Sequence, residues 1–196
     1  MLRLYFIRHG ETQYNIEFLV QGWCDSHLTE KGIMQAKKVG EALSGINFVG
    51  CFSSDLGRCQ ETTENILGDR KLDVTYTYKL REFHFGSFEE KTLDEFKALD
   101  DQILMKGVKE FGGEDIPDFT KRYFSALDDI KEKYSDGNVL VVSHGRAIMT
   151  LLKSIDDTID EFPIVLGKSP VVKNCSLSII EYDNGWKIVD YNKVLF

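Results

Sequence analysis

Leu2-Arg3-Leu4-Tyr5-Phe6-Ile7 runs directly into Arg8-His9-Gly10-Glu11-Thr12, and this junction decides the fold. An apolar run of this length, closed by a glycine, reads as a parallel strand covered on both faces. In open α/β sheets the ligand crevice lies just beyond the carboxyl ends of such strands. Arg8 and His9 are therefore delivered side by side onto a glycine turn where chemistry is usually done, an arrangement suited to phosphate transfer.

One such tripeptide says little, because a histidine at a strand end is commonly a hydrogen-bonded structural residue. A second copy lies far downstream. The β-branched run Asn138 to Val142 ends in Ser143-His144-Gly145, ahead of a helical stretch with apolar Ala147, Ile148, Leu151 and Leu152. Between the two, the run Phe48 to Phe52 leads into Ser53-Ser54-Asp55-Leu56-Gly57-Arg58. Here Asp55 is placed to cap a helix carrying Leu56, Cys59, Thr63, Ile66 and Leu67 on one face, with Arg58 in its first turn. In Leu80-Arg81-Glu82-Phe83-His84-Phe85-Gly86 a carboxylate stands among apolar and aromatic neighbours as a candidate proton donor.

Together these segments resemble the histidine phosphatase superfamily, the phosphoglycerate mutase-like family, over nearly the whole chain. The opening signature is similar to Ile7 to Thr12 followed by Asn15. The next is similar to Gly22-x-x-Asp25-x-x-Leu28-Thr29-x-x-Gly32-x-x-Gln35-Ala36. The second arginine motif matches Ser53 to Arg58 with Thr62 after it, the acidic motif matches Leu80 to Glu90, and the second histidine motif matches Val141 to Gly145. The chain departs from the pattern at His27, where proline is frequent, Cys59 (alanine), Glu61 (glutamine) and Arg146 (an uncharged residue). Glu61 and Arg146 are thereby expected to charge the pocket rim.

The residue types also make sense without the family. A phosphoryl group spreads its charge over peripheral oxygens, so positioning and neutralisation by fixed donors lower the barrier. Arg8 and Arg58 offer planar forks that bind such oxygens in pairs, and backbone amides at the glycine turns are expected to add donors. His9 is read as the nucleophile, attacking through one neutral ring nitrogen while the other is held by a local carbonyl. His144 is expected to contact the same phosphate as a donor, and Glu82 to serve as general acid and then general base. The resemblance implies substrate contacts from Asn15, Thr12, Gln21, Gly22 and Gly145. Asn15 reads equally as a turn former, Glu11 as a residue that orders the turn, and Arg81, Lys91 and Arg122 as solvated charges.

At 196 residues the chain suits one α/β domain with a substantial core. Its net charge of −8, from 24 basic and 32 acidic side chains with no basic run, argues against nucleic acid and anionic membranes as partners. Cysteines 24, 51, 59 and 175 lack metal-type spacing, and the first strand leaves no room for a signal peptide. No apolar stretch approaches the roughly 18 residues needed to span a bilayer. The expectation is a cytoplasmic protein with free thiols, no metal and no cofactor, acting on a small phosphomonoester; the sequence exposes no oligomeric interface.

Alternating elements predict a three-layer α/β sandwich, a mostly parallel sheet with helices on both faces, in one domain over 1–196 with a helical lid-like insertion at about 83–135. Helices are predicted from about Thr29, at Thr92 with a capping box to Glu95, and from about Asp118 to Asp136-Gly137. A closing hairpin is predicted with its turn at Asp183-Asn184-Gly185. The mutases of the family resemble this architecture but carry arginines and prolines after the acidic motif; Glu89 to Gly113 holds neither, and the chain ends soon after the last strand. An open site favours hydrolysis, since a phosphohistidine that must return its phosphate has to be shielded from water. The expected function is a phosphomonoesterase working through phosphohistidine, with a bisphosphoglycerate-dependent mutase as the alternative and a silent phosphate-ligand or protein-binding module behind both.

Overall fold

The computed structural model describes residues 1–99, 107–159 and 172–196. Six strands form one sheet in the order β3-β2-β4-β1-β5-β6, from β1 (Leu2–Arg8), β2 (Phe48–Ser54), β3 (Val74–Thr77), β4 (Gly137–Ser143), β5 (Leu177–Tyr182) and β6 (Trp186–Lys193). The first four run parallel, and β5 and β6 add antiparallel at the β1 edge. The predicted hairpin is there, with Asn184 at φ +55 in its turn.

Side-chain alternation divides the core. Leu2, Leu4 and Phe6 of β1 join Val139 and Val141 of β4 on one face, while Tyr5 and Ile7 join Leu140 and Val142 on the other. The first face is covered by α5 (Ile116–Lys133), through Phe119, Tyr123, Ala126, Leu127 and Ile130, and by α6 (Gly145–Ile155), through Ala147, Ile148, Leu151 and Leu152. The second is covered by α2 (Glu30–Ala42) and α3 (Gly57–Leu67). Each fully buried aliphatic or aromatic side chain of these layers contributes about 1.5–3 kcal/mol, so the sheet is a rigid platform for what its strand ends carry.

Two short helices flank one end of the sheet: α1 (Gln13–Ile16), with a Thr12–Asn15 capping box, and α4 (Leu93–Lys97), with the expected Thr92–Glu95 box. The helix expected from Asp118 begins two residues earlier, at Ile116, because Asp115 accepts the Asp118 amide and Pro117 fits the first turn. Residues 100–106 of the expected insertion lie outside the described residues. No helix among the described residues is long and apolar enough to cross a membrane.

Candidate active site

Parallel pairing puts the two His-Gly corners together. β1 and β4 are neighbours in register, with Arg8 opposite Ser143, so both strands expire at the same level. The His9 amide donates to Ser143 O at 2.9 Å, and the His9 and His144 rings stand 5.3 Å apart. On the far side of β4, β2 hands over to α3, whose first turn carries Arg58. The cap of α3 differs from the expectation. Its N-cap is Leu56, without a side-chain bond. The Gly57 and Arg58 amides instead donate to the carboxylate of Asp25, a residue 32 positions before Gly57, while Asp55 takes two 2.7 Å bonds from Arg81.

His9 Nδ1–H donates to Gly10 O at 2.8 Å, which leaves Nε2 as the nucleophilic lone pair. Burial, then the charges of Arg58 and Arg8, hold this imidazole well below the ordinary histidine range, so it is neutral at pH 7. Arg8 Nη1 donates to Val172 O, while Arg8 Nε is buried without a hydrogen-bond partner among the described residues, an unsatisfied donor that an anion would suit. Burial lowers the Arg8 guanidinium to about 10, with Glu82 opposing, and it stays charged at neutral pH. The fork lies so close to the start of α6 that a Cβ on Gly145 would stand 3.2 Å from Arg8 Nε.

Arg58 is aimed by four bonds: Nη2 to Gly22 O at 2.7 Å, Nη1 to Cys24 O at 2.8 Å and Asp25 Oδ1 at 3.1 Å, and Nε to His144 Nδ1 at 3.2 Å. With Nδ1 accepting, His144 Nε2–H donates to Ser54 Oγ at 2.8 Å. Both ring nitrogens of His144 are thus engaged with protein groups, whereas the sequence suggests a phosphate donor. Burial and Arg58 keep it neutral as well. The Cys59 thiol lies against the same ring and is itself pushed up by burial.

Glu82 closes the opposite side. Its carboxylate accepts from Phe83 N at 2.9 Å, Arg146 N at 3.0 Å and Ala147 N at 2.8 Å, so it sits on the N-terminus of α6. Its backbone carbonyl accepts from Trp23 Nε1 at 2.9 Å and Arg122 Nη2 at 3.1 Å. Neither Arg81 nor Arg122 is the solvated charge expected. Arg81 stacks over Trp23, and Arg122 pairs with Glu114 in two 2.7 Å bonds while donating to the carbonyls of Lys79, Arg81 and Glu82. Glu89, another residue sequence reasoning passed over, accepts from Trp23 N, Cys24 N and Phe85 N and ties the loop that aims Arg58 to the loop that carries Glu82.

These groups open on one cavity of about 350 Å³, whose walls include Arg8, His9, Arg58, Glu82, Asn15, Gln21, Gly22, Gly145 and Arg146. Asn15 completes the α1 capping box, as its turn-former reading expects, and it also lines the cavity. Gly22 adopts φ +53, and its missing Cβ makes room for the Glu89 carboxylate. Thr12 stands apart from these walls, its hydroxyl donating to Gln21 Oε1 and accepting from Asn15 N. The Gly10 amide, expected to face phosphate, donates to Thr62 Oγ1. Arg146 is on the wall, buried and lowered to about 10 by burial, over the ring of Phe83. Glu61 is not on it, and pairs with His27.

The model of the histidine phosphatase superfamily (branch 1) matches residues 4–194. The chain is 34% identical over 200 residues to a Salmonella typhi protein named "Probable phosphoglycerate mutase GpmB", covering 96% of this chain and 91% of that one. Bacillus stearothermophilus YhfR is similar in structure, with a TM-score of 0.85 and 33% identity over 99% of this chain and 98% of that one. A mycobacterial glucosyl-3-phosphoglycerate phosphatase gives a TM-score of 0.82 and 25% identity over 97% and 98%.

Proposed function

The chain belongs to the histidine phosphatase superfamily, a family of phosphatases and mutases acting on small phosphorylated substrates, and within it we propose a phosphomonoesterase for small phosphorylated metabolites. His9 Nε2 attacks phosphorus as the P–O bond to the alcohol breaks, and Glu82 gives the departing alkoxide its proton. Water then attacks the phosphohistidine, losing a proton to Glu82 as the P–N bond breaks, which returns both residues to their starting forms and releases phosphate. Arg8 and Arg58 hold the peripheral oxygens throughout. His144 acts by holding Arg58, and Asn15, Gln21, Gly22 and Gly145 shape the phosphate end. The insertion at about 83–135 walls the site with its first part.

The observation that carries the hydrolytic reading is Phe18, which lines the cavity and is nevertheless 68% exposed. A cavity this open at its mouth suits hydrolysis, because a mutase has to shield its phosphohistidine from water. Arg146 on the same wall favours the mutase as second reading, because a buried cation suits a second anionic group. Phosphate release from a panel of phosphomonoesters, with a His9→Ala control, tests the proposal. Conversion of 3-phosphoglycerate to its 2-isomer after priming with the bisphosphate, with little release of phosphate, would replace it by the mutase.

A further inference from the structure

Glu89 carries a charge that the proposed chemistry does not use, and it stands off the cavity walls. Its side chain is only 10% exposed, yet the carboxylate pairs with no arginine or lysine among the described residues; His84 Nε2 lies 3.6 Å from Oε1. Backbone holds it instead. Oε1 accepts from Trp23 N at 2.9 Å and from Phe85 N at 3.1 Å, and Oε2 accepts from Cys24 N at 3.2 Å. Charge-assisted bonds of this kind are about twice as strong as neutral ones, so they pin two loops to one point.

Each of those loops carries one half of the reaction. In a trans peptide the N–H and the C=O point to opposite sides. The peptide that joins Gly22 to Trp23 has Glu89 on its N–H and Arg58 on its C=O, Gly22 O accepting from Arg58 Nη2 at 2.7 Å. A carboxylate drawing on the amide polarises that peptide and strengthens Gly22 O as an acceptor, so Glu89 reaches the guanidinium through the backbone. On the other side, Phe85 N belongs to the loop of Glu82, and Trp23 closes the bridge by donating Nε1–H to Glu82 O at 2.9 Å. The approach requires glycine at position 22, where a Cβ would collide with Glu89 Oε1. We infer that Glu89 is a positioning residue for both halves of the reaction. It sets Arg58 against the phosphate through the Gly22–Trp23 peptide, and Glu82 against the leaving group through Phe85 and Trp23. The inference rests on the phosphomonoesterase reading and adds the group that keeps phosphate clamp and proton donor at a fixed separation.

The test compares phenyl phosphate with 4-nitrophenyl phosphate, esters of similar shape of which only the first needs a proton on its leaving group. It reads kcat/KM in the wild type, Glu89→Gln and Glu89→Asp. Glutamine keeps the shape but turns an NH₂ toward one of the amide donors, and aspartate keeps the charge but falls short by one methylene. Both variants are expected to lower kcat/KM about tenfold for the nitrophenyl ester, through Arg58, and about a hundredfold for the phenyl ester, through Arg58 and Glu82 together. Binding of inorganic phosphate, measured by calorimetry, is expected to weaken about tenfold, which reads the clamp alone. A carboxylate that served only the fold would lower both esters by one factor, through the amount of folded protein, and leave phosphate affinity as it was. An equal fall for the two esters, an unchanged phosphate affinity or wild-type rates therefore overturns the inference and leaves a phosphomonoesterase standing. If Glu89→Gln does not fold, Glu89→Asp carries the same comparison. If the wild type releases phosphate from no ester, the phosphomonoesterase reading fails, and Glu89 is judged on phosphate binding alone; unchanged affinity in the variants sinks it there as well.

Discussion

The two His-Gly corners are near twins in sequence and opposites in wiring. Each closes a buried parallel strand, and the strands are paired in register. At the first corner one nitrogen is tied to Gly10 O and the other is left to the cavity. At the second, Arg58 and Ser54 take both nitrogens, and the ring stands behind the arginine that it orients. The same local sequence therefore supplies a nucleophile in one place and a fixed base for a guanidinium in the other. What separates them is the neighbour on the next strand, since β4 has α3 and Arg58 beside it.

The sharpest way to break this asymmetry is to remove each ring in turn. His9→Ala takes away the atom to which phosphorus bonds, and phosphate release is expected to fall at least about 10⁴-fold. A phosphohistidine that still formed on the His9→Ala protein, seen in phosphopeptides after rapid quenching, would put the nucleophile at the second corner. Glu82→Gln comes next. Loss of the proton donor is expected to cost on the order of 10²–10⁴ in kcat/KM, which reports the transfer to His9, for alkyl esters and much less for 4-nitrophenyl phosphate, whose leaving group needs no proton. Equal losses for both leaving groups would mean that Glu82 serves only to hold the α6 amides.

His144→Gln is expected to lower kcat by roughly 10²-fold, because Arg58 loses the acceptor that fixes its Nε and drifts from the phosphate oxygens. The leaving-group dependence should stay as in the wild type, unlike that of Glu82→Gln. Loss of activity as deep as in His9→Ala would show that the second ring touches the reacting phosphate and that its present bonds give way when substrate binds.

The parts of the site that sequence made legible are those set by position along one strand or turn. Arg8, His9, Arg58 and His144 each sit at a strand end or helix start that hydrophobic pattern marks, Glu82 lies in a loop among apolar and aromatic neighbours, and the cavity gathers Arg8, His9, Arg58 and Glu82 on its walls. What stayed hidden depends on distant partners. Asp55 stands where a cap should be, yet Asp25 reaches the α3 amides and leaves Asp55 to Arg81. Arg122 looks like a surface charge until the carbonyls of Lys79, Arg81 and Glu82 converge on it. No local signal marks Phe18, because its exposure and left-handed backbone follow from how residues 18–20 pair with residues 90–93.

One property unites the corners and gives the smallest effect: both rings are buried in their neutral forms. Their folded pKa values lie below the unfolded value of about 6.5, so below that pH the unfolded chain binds two protons that the folded chain does not. Stability from this source is complete above about pH 6.5 and falls as pH drops, by about 1.4 kcal/mol per pH unit for each ring. Glu11, lowered first by its bond to Lys31, responds only near and below the carboxylate range and leaves this window undisturbed. The exposed His27, raised by its bond to Glu61, acts in the opposite sense but is screened by water. Urea unfolding between about pH 7.5 and pH 5.5 should therefore show a midpoint that declines with acidity, and His144→Gln should remove about half of the slope. An unchanged slope in that variant would mean that the second ring takes up its proton without unfolding, and the wiring that distinguishes the two corners would have to be redrawn.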